Sequence, residues 1–210
     1  MSTRNISNIV IVDYGMGNLN SITRKLSKIG IKSFVTSNPQ ELLNAEKIIL
    51  PGVGHFKGAV GNLKSGGMWD ALNTAVLINK IPIFGICLGL QLMAKHSEEG
   101  DSKGFGWLDA DVIRFRIQDK FRFKIPHMGW NTIRQNKASK LFEGVEANSE
   151  FYFVHSFHLN AYDESQVLNY TQYEYDFPSA MGKENIYGLQ YHPEKSHEYG
   201  EKLLMNFAEL

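Results

Sequence analysis

A single cysteine, Cys87, lies between Gly85 and Gly89, with an apolar run before it and a helix-forming segment after it. A cysteine on a tight strand-to-helix turn is typical of a nucleophile elbow, in which the glycines allow close backbone approach and the helix start favours a thiolate. The backbone N–H of Leu88 is then a natural oxyanion donor. A lone cysteine is often only a small buried apolar side chain, but the strand–turn–helix context favours the nucleophile.

A histidine and a glutamate two residues apart, His192 and Glu194, follow an apolar run near the C-terminal end. Residues i and i+2 of an extended chain point to the same side, and Pro193 restricts His192 to extended conformations. The carboxylate can accept a hydrogen bond from one imidazole nitrogen while the other faces a thiol. Alone, the pair would be better explained as a surface pair after a strand. With the elbow, it predicts a Cys87–His192–Glu194 triad.

Two glycine-containing turns follow apolar strands in the N-terminal part of the chain. The turn at 51–54 permits close approach to a ligand and offers a backbone N–H for an oxyanion hole, although it is also an ordinary strand-ending turn. The turn at 13–18 contains G-x-G, but Asn20 replaces the third glycine of a dinucleotide fingerprint. With no P-loop and no zinc-ligand spacing among the histidines, the sequence predicts neither a cofactor nor a metal.

The segments around these residues alternate between short apolar runs and helical periodicity, as in a parallel α/β sheet. Asn18 is placed to cap the first helix, in which Leu19, Ile22, Leu26 and Ile29 recur at helical spacing before Gly30. The predicted strands are 9–12, 31–35, 48–50 and 81–86, and further helices are predicted at 68–78 and 88–96.

Beyond residue 110 the pattern changes to strands with little helix between them, which predicts an antiparallel extension of the same sheet. A last helix at 198–209 carries Leu203, Leu204 and Phe207 on one side. With no repeat and no long linker, one domain over 1–210 is expected. The predicted strands of this half are 112–115, 121–125, 151–157, 167–173 and 186–191.

Composition and charge exclude several classes of protein. The chain of 210 residues is 43% hydrophobic and 21% charged, with 22 basic and 22 acidic residues. These values are ordinary for a globular protein and argue against a surface built mainly for nucleic acid or anionic membrane. The polar start at 1–8 precedes an apolar run too short for a signal peptide, and no run is long enough to cross a bilayer. A cytoplasmic location is expected by default.

The motifs together resemble those of class I (triad) glutamine amidotransferases over nearly the whole chain. Within that family the chain is similar to the HisH-type glutaminase subunits of imidazole glycerol phosphate synthase. The cysteine elbow and the H-P-E tripeptide are shared by the wider family, whereas the segment 126–131 is more particular to the HisH type. The segments that carry the resemblance are 13–19, 51–54, 85–89 with Gln91, 126–131, 152–156 and 192–196.

The resemblance implies hydrolysis of glutamine to glutamate and ammonia through a thioester on Cys87, with His192 as acid and base and Glu194 orienting it. Val53 and Leu88 are the implied oxyanion donors. The implied glutamine-binding residues are Gly52, Gln91 and the backbone of His155, Ser156 and Phe157.

The resemblance also implies a heterodimer in which ammonia passes to a (β/α)₈ cyclase subunit. In histidine biosynthesis that subunit makes imidazole glycerol phosphate and an aminoimidazole carboxamide ribotide. The chain has no residues left over for a synthase domain of its own, in agreement with a separate partner. The positions matching the partner interface are Asn18, Met128, Trp130, Tyr152 and Lys195, of which Trp130 and Tyr152 could equally be core aromatics.

Some residues depart from the family pattern and leave alternatives open. Phe157 stands where the family commonly has Tyr, and Tyr191 stands where Phe is usual. One alternative is a paralogous glutaminase that supplies ammonia for acetamidino-sugar formation in surface polysaccharide synthesis. A stand-alone cysteine hydrolase or peptidase is a second, because a triad alone does not specify ammonia transfer. A non-catalytic scaffold subunit is a third.

Overall fold

Four short strands in the N-terminal part form a parallel array in the computed structural model, which describes residues 9–210. The polar start at 1–8, where no leader is predicted, lies outside the described residues. Three of the four strands are buried along their whole length, as their continuous apolar sequence predicts. In chain order the strands are β1 (Ile9–Val12), β2 (Ser33–Thr36), β3 (Lys47–Gly52) and β4 (Ile83–Cys87).

The main sheet continues with strands from the C-terminal part of the chain. A strand at Ile186–Leu189 lies parallel to β4, and three antiparallel strands follow it. The predicted α/β fold with an antiparallel extension is therefore confirmed. Its C-terminal strands are β9 (Arg134–Gln135), β12 (Val167–Tyr173), β13 (Tyr175–Lys183) and β14 (Ile186–Leu189). The sheet order is β2-β1-β3-β4-β14-β13-β12-β9.

Helices cover both faces of the parallel part of the sheet. Ile9 and Ile11 of β1 point into one apolar core with the first and last helices, whereas Val10 and Val12 point into a second core on the opposite face. This division follows from the two-residue period of a strand. The helices are α1 (Leu19–Lys28), α2 (Pro39–Leu43), α3 (Phe56–Ser65), α4 (Met68–Asn73), continued by a π-helical turn at Thr74–Ile78, α5 (Leu88–Leu92) and α6 (His197–Glu209).

Two small sheets adjoin the main sheet. The predicted single strand at 151–157 is wrong, since it divides at Ser156 into one strand for each small sheet. A two-stranded sheet contains β8 (His127–Thr132) and β10 (Glu150–His155). The second small sheet has the order β11-β7-β5-β6, made by β5 (His96–Ser97), β6 (Ser102–Lys103), β7 (Ala110–Arg114) and β11 (Phe157–Ala161).

The prediction of a strand at 121–125 is also wrong, although its residues alternate in type. The Asp119 carboxylate accepts hydrogen bonds from the backbone N–H groups of Phe121 and Arg122, and the Tyr173 hydroxyl accepts one from Lys124. These side chains take the backbone donors that a neighbouring strand would need.

The helix predicted at 88–96 ends early, at Leu92. The carbonyl groups of Leu92 and Ala94 accept hydrogen bonds from the N–H groups of Phe105 and Gly106, so a returning loop replaces the last turns of the helix. Within residues 9–210, no helix combines the length and apolar character needed to span a membrane.

Candidate active site

Cys87 occupies a strained turn between β4 and α5. Its backbone has φ 55° and ψ −109°, a conformation that a non-glycine residue adopts only when its surroundings impose it. A Cβ on Gly89 would lie 1.8 Å from the Leu50 carbonyl oxygen, and one on Gly85 would lie 2.8 Å from the backbone of Leu90. Both glycines are therefore required by close backbone packing, which explains their spacing around the cysteine.

His192 and Glu194 reach the elbow because β14 runs parallel to β4. Leu189 is paired with Ile86, so the two strands end side by side and the chain after β14 passes next to Cys87. The backbone N–H of His192 donates to the Tyr152 carbonyl over 2.9 Å, which attaches this segment to β10. The parallel pairing thus brings together residues that are far apart in the sequence.

The His192 ring and the Glu194 carboxylate form a buried pair. Nδ1 of His192 lies 2.8 Å from Oε1 of Glu194, and both side chains are almost completely inaccessible. Among residues 9–210, the His192 Nε2 atom has no hydrogen-bond partner. Burial lowers the pKa of His192, but the negative charges of the Cys87 thiolate and the Glu194 carboxylate more than offset it and raise the pKa to about 10. The arrangement favours the imidazolium form of His192.

A cavity of about 320 Å³ opens beside Cys87, within the size range of small-molecule sites. Six of the residues predicted from the sequence for the oxyanion hole or for glutamine binding line it. Gly52 is paired with Cys87 in the sheet register, and a Cβ there would lie 2.5 Å from the Tyr14 hydroxyl. The lining residues that were predicted are Val53, Leu88, Gln91, His155, Ser156 and Phe157.

The sequence did not reveal two polar residues of this site, Gln190 and Glu99. Gln190 is buried, and its Nε2 atom lies 3.6 Å from the Cys87 sulfur. It precedes His192 by two positions, so the two-residue period of an extended chain was a signal that could have found it. Glu99 lines the cavity from a polar loop and accepts a hydrogen bond from the Phe56 N–H, and no pattern in the sequence marks it.

Gln91 is held by two hydrogen bonds that fix the orientation of its amide. Its Nε2 atom donates to the Phe157 carbonyl and to Oε1 of Gln190, each over 3.0 Å. Both amide hydrogens are thereby used, which leaves the Gln91 oxygen free to accept from a molecule in the cavity. Gln91 therefore presents an acceptor to the cavity.

Four of the five predicted interface residues lie together on one surface, where Met128, Trp130 and Lys195 are exposed and Tyr152 is half-buried. Met128 is 62% exposed and Trp130 is 45% exposed, although both are large and apolar. Trp130 is paired with Tyr152 across β8 and β10, and the Lys195 ammonium lies 5.2 Å from the centre of the Tyr152 ring. The fifth residue, Asn18, is exposed and caps α1, where its side-chain oxygen accepts from the Ser21 N–H as predicted.

Three buried histidines, His127, His155 and His158, surround Phe115 near the cavity. Burial lowers the pKa of each of them, and for His127 the value falls to about 4. We expect the free energy of unfolding to decrease between pH 6.5 and 4.5. In this range the three histidines bind protons in the unfolded chain but stay neutral in the folded state. His127 alone would contribute a loss of about 2 kcal/mol at pH 4.5.

Urea unfolding at several pH values measures this loss. His192 does not oppose it, since a raised pKa stabilises fully below pH 6.5 and is lost only towards pH 10. The variant His127→Phe should show a shallower acid slope than the native chain. A free energy of unfolding that stays constant from pH 6.5 to 4.5 would contradict the expectation.

The fold and site define a class: an α/β protein that presents a cysteine elbow to a buried histidine–glutamate pair. Comparison with known proteins agrees, since residues 10–209 match the family described as glutamine amidotransferase class-I. The chain belongs to this family, and within it to the HisH subunits of imidazole glycerol phosphate synthase.

The relatives extend over almost the full chain. The chain is 47% identical to imidazole glycerol phosphate synthase subunit HisH 2 of Methanococcus maripaludis, covering 95% of this chain and 98% of the relative. It is 40% identical to HisH 2 of Pseudomonas aeruginosa over 96% and 99%. A crystal structure of a glutamine amidotransferase superposes with TM-score 0.74 at 19% identity, covering 95% of this chain and 97% of that one, which supports the fold alone.

Proposed function

We propose that this chain is the glutaminase subunit of an imidazole glycerol phosphate synthase in histidine biosynthesis. The observation that carries the proposal is the Cys87 elbow beside the buried His192–Glu194 pair, next to a cavity large enough for an amino acid. The HisH relatives supply the pathway. The proposal treats residues 1–210 as one domain and includes a cytoplasmic location, since the substrate is a soluble metabolite.

In the proposed mechanism, the Cys87 sulfur attacks the side-chain amide carbon of glutamine. His192 accepts the thiol proton as the sulfur attacks, and its raised pKa stabilises the imidazolium that forms. The developing oxyanion is stabilised by the N–H groups of Val53 and Leu88. His192 then protonates the departing ammonia, leaving a thioester on Cys87.

Water completes the reaction in a second step. His192 takes a proton from water, which attacks the thioester carbon, and the Cys87 sulfur leaves as a thiolate. The Glu194 carboxylate holds Nδ1 of His192 and stabilises the imidazolium in both steps. Glutamate is released, and the triad returns to its starting state.

Substrate recognition is assigned to the polar groups around the cavity. The α-ammonium group of glutamine suits the Glu99 carboxylate, the one acidic side chain among the residues that line this cavity. The free oxygen of Gln91 accepts from the substrate, and the backbone of Ser156 and Phe157 borders its α-amino acid end. Contacts through the Phe157 backbone would survive the loss of the family's Tyr hydroxyl.

The partner in this proposal is a (β/α)₈ cyclase subunit that receives the ammonia. The exposed Met128 and Trp130, beside the half-buried Tyr152, support such a contact, because large apolar side chains on a surface are typical of interfaces. Lys195 adds a positive charge at its edge. The word "subunit" in the names of the relatives agrees with an assembly.

The experiment is to measure glutamate release by the purified chain alone and with its cyclase subunit. We expect release to rise at least about tenfold when the partner carries its nucleotide ligand, since binding then selects a competent oxyanion loop. Equal turnover with and without the liganded partner would contradict this activation.

A surface variant serves as control. Trp130→Ala should weaken binding of the cyclase about tenfold or more, because exposed aromatic residues are frequent interface anchors. The basal glutaminase rate should stay unchanged.

Peptide or ester cleavage by the chain alone, without any response to glutamine, would instead favour a stand-alone hydrolase. A glutaminase that supports acetamidino-sugar formation but not the cyclase reaction would favour the paralogous pathway.

A further inference from the structure

Two buried histidines outside the triad connect the glutamine-binding cavity with the exposed strand β8. Nδ1 of His155 lies 2.8 Å from the Phe157 carbonyl oxygen, and Nε2 of His155 lies 3.0 Å from Nδ1 of His127. Nε2 of His127 lies 3.2 Å from Nδ2 of Asn131. His127 and His155, called here the histidine pair, thus belong to a continuous series of hydrogen bonds.

The Phe157 carbonyl and the Asn131 amide, at the two ends of this series, fix the direction of every hydrogen bond in it. A carbonyl oxygen only accepts, so Nδ1 of His155 donates to Phe157 and its Nε2 atom must accept. Nδ1 of His127 therefore donates to His155, and Nε2 of His127 accepts from the Asn131 amide. Each histidine is the neutral Nδ1–H tautomer, and every donor in the series faces an acceptor.

Burial keeps both rings neutral. His127 is 3% exposed and His155 is 6% exposed, and burial lowers the pKa of each. The His127 ring is also stacked between Phe153 and Tyr173, with ring centres 4.8 Å and 4.1 Å away. The histidine pair is therefore a rigid neutral unit with little freedom to change its bonds.

On the cavity side, the series reaches the cysteine. The Phe157 carbonyl that accepts from His155 also accepts from Gln91, whose amide donates in turn to Gln190. Gln190 then donates to the Cys87 sulfur. The position of the Phe157 carbonyl thus determines the orientation of the amide that faces the substrate.

On the outer side, the series ends on β8. Asn131 is adjacent to Trp130, and its amide also donates to the Gln172 carbonyl over 3.0 Å. Strand β8 pairs with β10 alone in a two-stranded sheet and carries the exposed Met128 and Trp130. A displacement of β8 therefore moves His127 directly.

We propose that His127 is a positioning residue, which acts through His155 and the Phe157 carbonyl to hold Gln91 in its glutamine-binding orientation and links strand β8 to the cavity. This inference rests on the proposed glutaminase function. His127 itself does not line the cavity, so its effect on glutamine must pass through the other residues of the series.

Two substitutions of His127 distinguish the effect of its hydrogen bond to His155 from the effect of its packing. His127→Phe keeps an aromatic ring but leaves the buried His155 Nε2 without a donor, so KM for glutamine should rise about tenfold while kcat changes less than about threefold. His127→Asn places an amide donor near the position of Nδ1 and should restore KM to within about threefold of the native value. Steady-state kinetics with the cyclase partner measures both.

His158 provides a matched control. It is equally buried and packs on the same Phe115, but its ring bonds to the Leu159 carbonyl and the Tyr175 hydroxyl, away from the cavity. His158→Phe should leave KM for glutamine unchanged. An unchanged KM in His127→Phe, an equal rise in His127→Asn, or an equal rise in His158→Phe would each overturn the inference.

Nitrogen-15 NMR of the native chain with labelled histidines gives a second test that needs no variant. Near neutral pH, His127 and His155 should both appear as neutral Nδ1–H tautomers, and an Nε2–H tautomer or an imidazolium at either would overturn the inference.

The role of His127 and the proposed glutaminase function are refuted by different results. A native complex that hydrolyses glutamine with the same KM as His127→Phe refutes only the role of His127, whereas no hydrolysis by the native complex refutes the proposed function.

Discussion

Replacing Cys87 with alanine is expected to lower glutamine hydrolysis by roughly 10⁴-fold or more, because no other group in the cavity can form the thioester. The cysteine is the only one in the chain, so no neighbouring thiol can substitute for it. Glutamate release by the complex with the cyclase subunit, with the ammonia-dependent reaction of the cyclase as a second readout, measures the loss.

The fold should survive this substitution, since alanine has a Cβ like cysteine and is no larger. Thermal unfolding and binding of the cyclase therefore serve as controls, and both should be close to native. The ammonia-dependent activity of the partner should also persist when ammonium salt replaces glutamine. Glutamate release within about tenfold of the native rate would refute Cys87 as the nucleophile.

Replacing Glu194 with glutamine is expected to lower kcat by roughly 10² to 10⁴-fold, although the change is nearly isosteric. An amide NH₂ facing Nδ1 of His192 would force a proton onto Nε2, so that the imidazole could no longer accept from the Cys87 side. The loss of one negative charge also lowers the pKa of His192, because burial is then opposed by the Cys87 thiolate alone. The imidazolium form of His192 therefore becomes less favourable.

A pH–rate profile checks the second part of this expectation, since the limb that reports His192 should move to lower pH in the variant. The matched control is Glu198→Gln, the same chemical change on an exposed carboxylate at the start of α6. It should leave kcat unchanged. A Glu194→Gln variant that keeps kcat within about threefold of native would show that the carboxylate does not orient the base.

Much of the fold was predictable because three of the parallel strands, β1, β3 and β4, contain continuous apolar runs with few alternatives. The run in β1 and the capped helix α1 that follows it were both identified from local sequence. Strand β13 was not predicted, although it is the longest strand. Its sequence contains Pro178 and Gly182, which disfavour a strand locally, and its pairing with β12 and β14 decides its conformation.

The candidate site was predictable where the local backbone geometry restricts which residue types can occupy a position. Gly85 and Gly89 had to be small to fit against neighbouring backbone, and Pro193 directs His192 towards its position. Glu99 could not be found in the same way, because a loop that returns past α3 brings it to the cavity. The roles assigned to these residues stay predictions until the variants are measured.

The histidine pair illustrates a further limit of sequence reasoning. His155 was predicted to contribute backbone groups to glutamine binding, whereas its imidazole is bonded to the Phe157 carbonyl and to His127. The pairing of β8 with β10 places His127 directly opposite His155. That register depends on two segments distant in the chain, so no local pattern could reveal it.

The position of β14 next to β4 has a consequence during protein synthesis. A ribosome delivers Cys87 long before the segment that contains His192, and until then one edge of β4 has no neighbouring strand. The unfinished polypeptide therefore holds a thiol without its imidazole. On the proposed mechanism, a nascent chain that stops before His192 releases no ammonia, and hydrolysis begins only after the His192 segment has been made and the centre of the sheet has closed.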